Sequence, residues 1–250
     1  MTFQTSTDQK TALEIFPQEP DVISALSLVQ AGNMKLRDND EDIDTAENHQ
    51  SFLRSIGIRY DEFVYGHVVH GTDVGVVRSD STRRLRDVDA LVATEPGVFV
   101  GITVADCFPV YFYDKKAGIC AVAHAGWRGT VAGIISRTIE VMVREGSVAH
   151  DIYIEFGPGI SQANFEFHYS EMIEEFGTYS QDKYIDKGST LDKITVDLQA
   201  ILADQIVDAG VPLDNIQHCR ECTFADEKFF SARRHVGDSH SAMLAVIGLR

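Results

Sequence analysis

The alternation of apolar and polar residues predicts many short strands and a few longer helices. Strands are expected at 22–29, 63–70, 74–77, 89–94, 99–104, 109–113, 119–123, 152–156, 215–219 and 242–247. Helical spacing instead runs from a cap at Asp44 or Thr45 to Ile56, and over 130–143 and 198–209, each followed shortly by glycine. A shorter helix is expected at 170–176. The pattern predicts one α/β domain over residues 1–250, with mixed β-sheet flanked by helices.

The composition narrows the classes of partner. The chain has 250 residues, 44% of them hydrophobic, and a formal charge of −16. Such a surface repels phosphate backbones and acidic lipid, so we expect neither nucleic acid nor membrane as a partner. No signal-peptide pattern and no apolar run of about 20 residues is present. We therefore expect a cytoplasmic protein whose four cysteines are thiols.

Three residues that can bind a metal stand at the ends of predicted apolar runs. They are His70, Cys107 and His124, each followed by small or turn-forming residues. A catalytic zinc site uses three protein ligands of these types and keeps one position open. The residues alone leave two alternatives: a buried thiol with two hydrogen-bonded histidines, or a metal-free nucleophile, Cys107, with His124 as its base.

Other residues near this set suggest anion binding and proton transfer. Gly126, Arg128 and Gly129 precede the helix predicted from residue 130, where free backbone N–H groups and a guanidinium favour an anion. The alternative is a tight turn with a solvated arginine. Asp106 adjoins Cys107 and could carry a proton, or it could simply be solvated. Strand alternation predicts that His67 faces away from His70.

Cys219 and Cys222 form a Cys-x-x-Cys pair. Such a pair can be redox-active or half of a zinc site. No second pair accompanies it, and it lies in a strand-like run. Two core or edge thiols are therefore the expected state.

A set of specific motifs extends from about Asn33 to the C-terminus. The motifs are HGTDV at 70–74, DALV at 89–92, TVADCFPV at 103–110, AHAGWRG at 123–129, FGPG at 156–159, CT at 222–223 and FFSARR at 229–234. In these pieces the chain resembles the YfiH-type family, known as polyphenol oxidase or multicopper oxidoreductase and also as purine nucleoside phosphorylase. The family resemblance implies mixed sheets flanked by helices, distantly similar to the catalytic domain of cytotoxic necrotising factor.

The resemblance also implies a function and its residues. It implies zinc on His70, Cys107 and His124, phosphorolysis of adenosine, inosine, guanosine or methylthioadenosine, and deamination of adenosine. A small nucleoside and phosphate would be the partners. The predicted catalytic residues are Asp106, Cys107 and His124, and the predicted substrate-binding residues are Asn33, Arg128 and Gly129. The older family names imply copper and phenol oxidation at the same three ligands, although a multicopper centre normally needs more histidines.

The chain also departs from the family pattern. Val68 stands where a glutamine is usual, Ala163 and Asn164 where two cysteines are usual, and Ala242 where an arginine is expected. No Gly-Gly-Ser loop precedes Asn33, so residues 1–32 form a divergent N-terminal portion. These departures keep a third reading open: a paralogue that binds metal and ligand without turnover.

Overall fold

Two six-stranded mixed sheets form the centre of the computed structural model, which describes residues 10–35, 43–170, 176, 179, 181–235 and 241–250. Sheet A has the order β1 (Ala12–Glu14), β2 (Val22–Ser27), β15 (Met243–Leu249), β7 (Phe99–Val104), β3 (Phe63–Gly66) and β5 (Arg84–Leu85). Sheet B has the order β14 (Ile216–Gln217), β10 (Tyr153–Phe156), β8 (Phe108–Asp114), β9 (Ile119–Ala125), β6 (Ala90–Ala93) and β4 (Val74–Val77). A small sheet C has the order β11 (Glu166–His168), β13 (Lys193–Val196) and β12 (Ile185–Lys187).

The two large sheets pack face to face, and helices cover their outer faces. Val100 and Ile102 of sheet A share one buried cluster with Leu91, Tyr111 and Val122 of sheet B. Helix α1 (Ile43–Ser55) packs on the other face of sheet A. Helices α3 (Ile134–Arg144) and α5 (Leu198–Asp208) pack on the other face of sheet B. Each fully buried aliphatic side chain in these layers contributes about 1.5–3 kcal/mol.

Coverage on both faces explains why the central strands are so apolar. Every residue of β8 and of β9 is buried, so these strands carry runs of hydrophobic residues instead of a strict alternation. The phenol of Tyr111 in β8 is buried and donates a hydrogen bond to the carbonyl oxygen of Ala25 in β2, at 3.1 Å. This bond ties sheet B to sheet A through the core. The predicted α/β class with mixed sheets is confirmed.

The strand predicted at 63–70 is too long. The strand β3 ends at Gly66, and the chain then leaves sheet A and crosses to β4 in sheet B. The expectation that His67 and His70 lie on opposite faces of one strand is therefore wrong, because neither residue is in a strand. Likewise, the strands before Cys107 and around His124 are not neighbours in one sheet: β7 belongs to sheet A and β9 to sheet B.

The helix predicted from Thr130 is two helices. Helix α2 (Trp127–Val131) starts three residues earlier than expected, and Gly133, with φ of 87°, separates it from α3. That left-handed conformation suits glycine and breaks the helical path. Helix α4 (Gln181–Tyr184) is short. The helix expected at 170–176 lies mostly outside the described residues.

The described helices give no membrane span. None of them combines the length and the apolar character needed to cross a bilayer.

Candidate metal centre

The structure brings His70, Cys107 and His124 together. One ligand atom from each of these residues lies within 4.8 Å of the others. The two imidazole rings meet edge to face, with centroids 4.7 Å apart and an interplanar angle of 80°. His124 is buried, Cys107 is half-buried and His70 is exposed, so the group opens toward solvent on the His70 side.

The convergence follows from where the chain crosses between the two sheets. His70 lies in the crossing from β3 to β4, and Cys107 ends the short turn that joins β7 to β8. His124 is the second-to-last residue of β9, and β8 and β9 pair so that Phe108 faces Ala125. Cys107 therefore directly precedes β8, at the point where β8 pairs with the end of β9 that carries His124. Two sheet crossings and one strand end meet at the same edge of the sandwich.

A buried carboxylate, Asp89, holds this arrangement together. Its Oδ1 atom accepts hydrogen bonds from the backbone N–H of His70 at 2.8 Å and from Nδ1 of His124 at 2.8 Å. Its Oδ2 atom accepts from the backbone N–H groups of Val69 at 3.1 Å and Gly71 at 2.7 Å. Because Nδ1 of His124 is taken by Asp89, the Nε2 atom is the one that faces Cys107. A carboxylate that orients a ligand histidine in this way is typical of zinc sites.

Asp89 has no predicted functional role, because in the sequence it is only the first residue of a predicted strand and of the DALV motif. The available signal was an acidic residue directly before a fully apolar run, Ala90–Ala93, because a carboxylate buried there needs several donors. Which donors it meets depends on the crossing between sheets.

The charges of the three-residue group are coupled. Burial acts to raise the pKa of the Cys107 thiol, but His124 and His70 outweigh it and lower that pKa to about 6. Burial acts to lower the pKa of His124, but the Cys107 thiolate and Asp89 outweigh it and raise that pKa to about 10. Burial also opposes ionisation of Asp89, yet its bonds with His124, Gly71 and Val69 lower its pKa. In the metal-free group the two charges therefore favour each other: the thiolate of Cys107 favours a protonated His124, and a protonated His124 favours the thiolate.

Gly126 leaves the space in which the three side chains meet. A Cβ atom built on it would lie 2.9 Å from Sγ of Cys107, 3.1 Å from Cδ2 of His70 and 3.6 Å from Cε1 of His124. Its φ of −77° is ordinary, so the glycine is needed for space and not for backbone conformation.

Two residues of the site have a strained backbone conformation. His70 and Asp106 have positive φ values, 63° and 79°, which is uncommon for residues other than glycine. Such conformations concentrate at functional sites.

The donor set fits a zinc ion. Two imidazole nitrogens and one thiolate are the ligand types that zinc prefers, and three of them leave a fourth position open. Copper also accepts imidazole and thiolate, so the donor types do not separate the two metals. In the described part of the chain, this is the one group of three or more such residues that is close enough to hold an ion.

Asp106 adjoins Cys107, and its carboxylate is engaged by three donors. It accepts from Oγ1 of Thr223 at 2.6 Å, from Oγ of Ser231 at 3.0 Å and from the backbone N–H of Arg233 at 2.7 Å. Its backbone oxygen accepts from Ile160. The side chain is therefore an anchor that holds the Cys107 turn to a later segment. The predicted role in proton transfer stays a prediction.

Arg128 and Gly129 lie inside α2 and not before it. Gly129 is buried, and a Cβ atom on it would lie 3.0 Å from the carbonyl oxygen of Gly71, so it allows α2 to pack against the His70 loop. Arg128 is exposed, and its guanidinium carbon lies 4.2 Å from the centroid of the Trp127 ring. Since α2 has only five residues, the predicted anion site at a helix start reduces to the arginine side chain.

Asn33 joins two segments of the backbone. Its Oδ1 atom accepts from the N–H groups of Lys35 and Ala242, both at 3.0 Å. Its backbone carbonyl oxygen accepts a hydrogen bond from the side-chain amide of Asn48. Ala242 directly precedes Met243, which pairs with Val104 at the end of β7, so Asn33 lies at the same end of sheet A as the Cys107 turn. Its predicted role in substrate binding stays a prediction.

The other cysteines do not join the group. Cys120 is buried in β9, and burial raises its pKa to about 12. The sulfur of Cys222 accepts hydrogen bonds from Ser161 and from the side-chain amide of Asn164, at 3.2–3.4 Å. Burial acts to raise the pKa of Cys222, but hydrogen bonds from Ser161 and from the backbone of Ala225 and Phe224 outweigh it and lower that pKa. Burial raises the pKa of Cys219. All four thiols are free.

The comparisons with known proteins agree on one family. Residues 24–250 match the family described as multi-copper polyphenol oxidoreductase laccase. The chain is 35% identical over 192 residues to adenosine deaminase RL5 from an unknown prokaryotic organism, covering 72% of each protein. It is 32% identical over 205 residues to a purine nucleoside phosphorylase of Mycobacterium bovis, covering 82% of this chain and 80% of that protein.

Solved structures give the same answer. The crystal structure of YlmD from Geobacillus stearothermophilus superimposes with a TM-score of 0.88 at 27% identity and covers 98% of each chain. The crystal structure of the hypothetical protein YfiH from Bacillus licheniformis gives a TM-score of 0.87 at 25% identity. The chain therefore belongs to the YfiH family, whose family description is multi-copper polyphenol oxidoreductase laccase.

Proposed function

We propose that this protein is a zinc-dependent enzyme that acts on purine nucleosides, by phosphorolysis and by deamination of adenosine. The observation that carries the proposal is the meeting of His70, Cys107 and His124 within 4.8 Å, with Nδ1 of His124 held by Asp89. The relatives named as purine nucleoside phosphorylase and adenosine deaminase supply the substrate class. A zinc ion at these residues supplies Lewis acidity when it is bound.

The residues of the chain then perform three tasks. Cys107 contributes a thiolate that its two histidine neighbours stabilise, and Asp89 keeps Nε2 of His124 free to act as a ligand. The exposed side of His70 leaves access for a small substrate. Arg128, exposed and stacked on Trp127, offers a fork of donors for an anion.

Activity and metal content test the proposal together. Purified protein should contain about one zinc per chain. With adenosine and phosphate it should release ribose 1-phosphate and adenine, or inosine and ammonia. Cys107→Ser should lose both zinc and turnover, whereas Cys219→Ser, a matched change at a half-buried thiol outside the group, should keep both. A zinc-loaded protein that converts none of the common purine nucleosides would defeat the proposal.

Copper chemistry is the competing function, because the family description names it. The same three donors would then hold copper and support phenol oxidation. The same purified protein should be loaded with copper and assayed with a phenol. Turnover that rises in proportion to copper content, with no nucleoside conversion by the zinc form, would favour the oxidase. Binding of nucleoside without any turnover would instead favour the non-catalytic paralogue.

A further inference from the structure

The FFSARR motif contributes an arginine next to the candidate metal centre that the proposed function has not used. The backbone N–H of Arg233 donates to Oδ2 of Asp106 at 2.7 Å, and Asp106 directly precedes Cys107. Arg233 is thereby anchored to the turn that carries the thiolate. Its side chain is exposed.

The guanidinium of Arg233 is held in a fixed place by an aromatic surface. Its carbon lies 5.8 Å from the ring centroid of Phe165 and 5.5 Å from that of Phe167, and its Nη1 atom donates to the carbonyl oxygen of Glu166 at 2.9 Å. Phe167 lies in β11 and Phe165 directly precedes that strand, and their ring centroids are 4.4 Å apart. Guanidinium groups that are positioned in this way lose less entropy on binding an anion.

This aromatic surface is linked to the candidate metal centre through Trp127. Phe167 contacts Trp127, with centroids 6.5 Å apart, and Trp127 follows Gly126, the glycine against which all three ligand side chains pack. Arg128 lies on the ring of Trp127. The surface formed by Trp127, Phe165 and Phe167 thus carries an arginine at each end, beside the candidate metal centre.

The local charge favours an anion at Arg233. The chain carries a formal charge of −16, and some of its exposed arginines, such as Arg78 with Glu145, are paired with a carboxylate. Within the described part of the chain, no carboxylate lies within 4.0 Å of the Arg233 guanidinium. The nearby Glu166 side chain is paired with Lys193 at 2.7 Å, so its charge is already compensated. The exposed guanidinium of Arg233 thus has no charged partner among the described residues.

We propose that Arg233, supported by Phe165 and Phe167, is the subsite for inorganic phosphate, the co-substrate of phosphorolysis. This inference rests on the proposed function. Arg128 is the comparison residue at the other end of the surface. Loss of a charged hydrogen-bond donor to a phosphate weakens binding about 10–100-fold.

Direct binding and kinetics test the subsite separately. Inorganic phosphate should be titrated into the zinc-loaded full chain and followed by phosphorus-31 line broadening. Arg233→Gln should weaken phosphate binding about 10–100-fold and raise the phosphate KM by a similar factor, without changing the nucleoside KM or the rate of adenosine deamination. Arg233→Lys should recover part of the loss. Arg144→Gln, at an exposed arginine in the last turn of α3, should behave as the parent protein does.

The outcomes separate the subsite from the proposed function. A parent protein that phosphorolyses nucleosides, together with an unchanged phosphate KM in Arg233→Gln, overturns the subsite and leaves the function. Phosphate binding that depends on Arg233 in a protein that cleaves no nucleoside supports the subsite and overturns the function. A loss confined to Arg128→Gln moves the phosphate to the other end of the surface and overturns the assignment to Arg233. A rise in both substrate KM values overturns it in favour of a structural role.

Discussion

Replacement of Asp89 by asparagine should weaken metal binding while the shape of the side chain is kept. Both carboxylate oxygens of Asp89 accept two hydrogen bonds each, from three backbone N–H groups and from His124. Asparagine substitutes an NH2 group for one of these oxygens. In either orientation that group meets at least one backbone N–H donor, and the one partner that can become an acceptor is the imidazole of His124.

The expected loss of zinc affinity follows from the two orientations that the asparagine side chain can take. If the NH2 group faces the N–H groups of Val69 and Gly71, two charge-assisted bonds of about 1.5–3 kcal/mol each are lost and the His70 loop is released. If it faces His124, Nδ1 must accept, and the imidazole proton moves to Nε2, the atom that would bind the ion. In either case we expect an affinity loss of about 10–100-fold, or about 1.4–2.7 kcal/mol.

Competition with a chromogenic chelator measures the zinc affinity directly. Asp89→Asn should be compared with the parent chain and with Asp73→Asn. Asp73 is an exposed residue of the same loop, so this control removes an equal charge without removing a bond to His124. An Asp89→Asn affinity within about twofold of the parent would refute the reasoning, since loss of a carboxylate that orients a ligand histidine costs more than that. Equal losses in both variants would show that net charge alone is responsible.

Three further predictions follow from the same geometry. Gly126→Ala should lower zinc affinity at least about tenfold, because the new methyl group meets all three ligand side chains. Urea unfolding of the metal-free chain should change little. An unaltered zinc affinity would contradict the packing. Zinc binding near pH 7.5 should release about one proton, since the pKa of Cys107 is lowered to about 6 and that of His124 is raised to about 10 in the metal-free chain. The apparent zinc affinity should therefore rise about tenfold per pH unit between these two pKa values, and more steeply below pH 6. Calorimetry in buffers of different ionisation enthalpy counts the protons released on zinc binding. Asp106→Asn should lower the free energy of unfolding by about 2–4 kcal/mol, because three donors lose part of a charged acceptor. Unchanged stability with a large fall in kcat would instead make Asp106 the proton carrier.

The ligand residues could be proposed from the sequence, and their organiser could not. His70, Cys107 and His124 stand out because metal-binding side chains follow apolar runs, and small residues come after them. Asp89 looks like any acidic residue before a strand. Its role becomes visible only when the crossing from sheet A to sheet B places the amides of the His70 loop over its carboxylate.

The pairing of the strands could not be predicted from the sequence, for a related reason. Periodicity identifies strands but not their partners, and β15 pairs with β2 and β7, strands that are far away in sequence. Strands β8 and β9 are buried on both faces, so their composition gives no sign of which sheet they join. The interruption at Gly133 was similarly masked by apolar positions that keep a helical period across it.

The position of β15 has a consequence for biogenesis. This strand lies between β2 and β7 and is the last described strand to leave the ribosome, so sheet A stays split until it arrives. The Cys107 turn joins β7 to β8, so its sheet A side is incomplete before that moment. We therefore expect tight ion capture to follow the pairing of β15 with β7. A nascent chain that pauses before residue 243 should carry no tightly bound zinc.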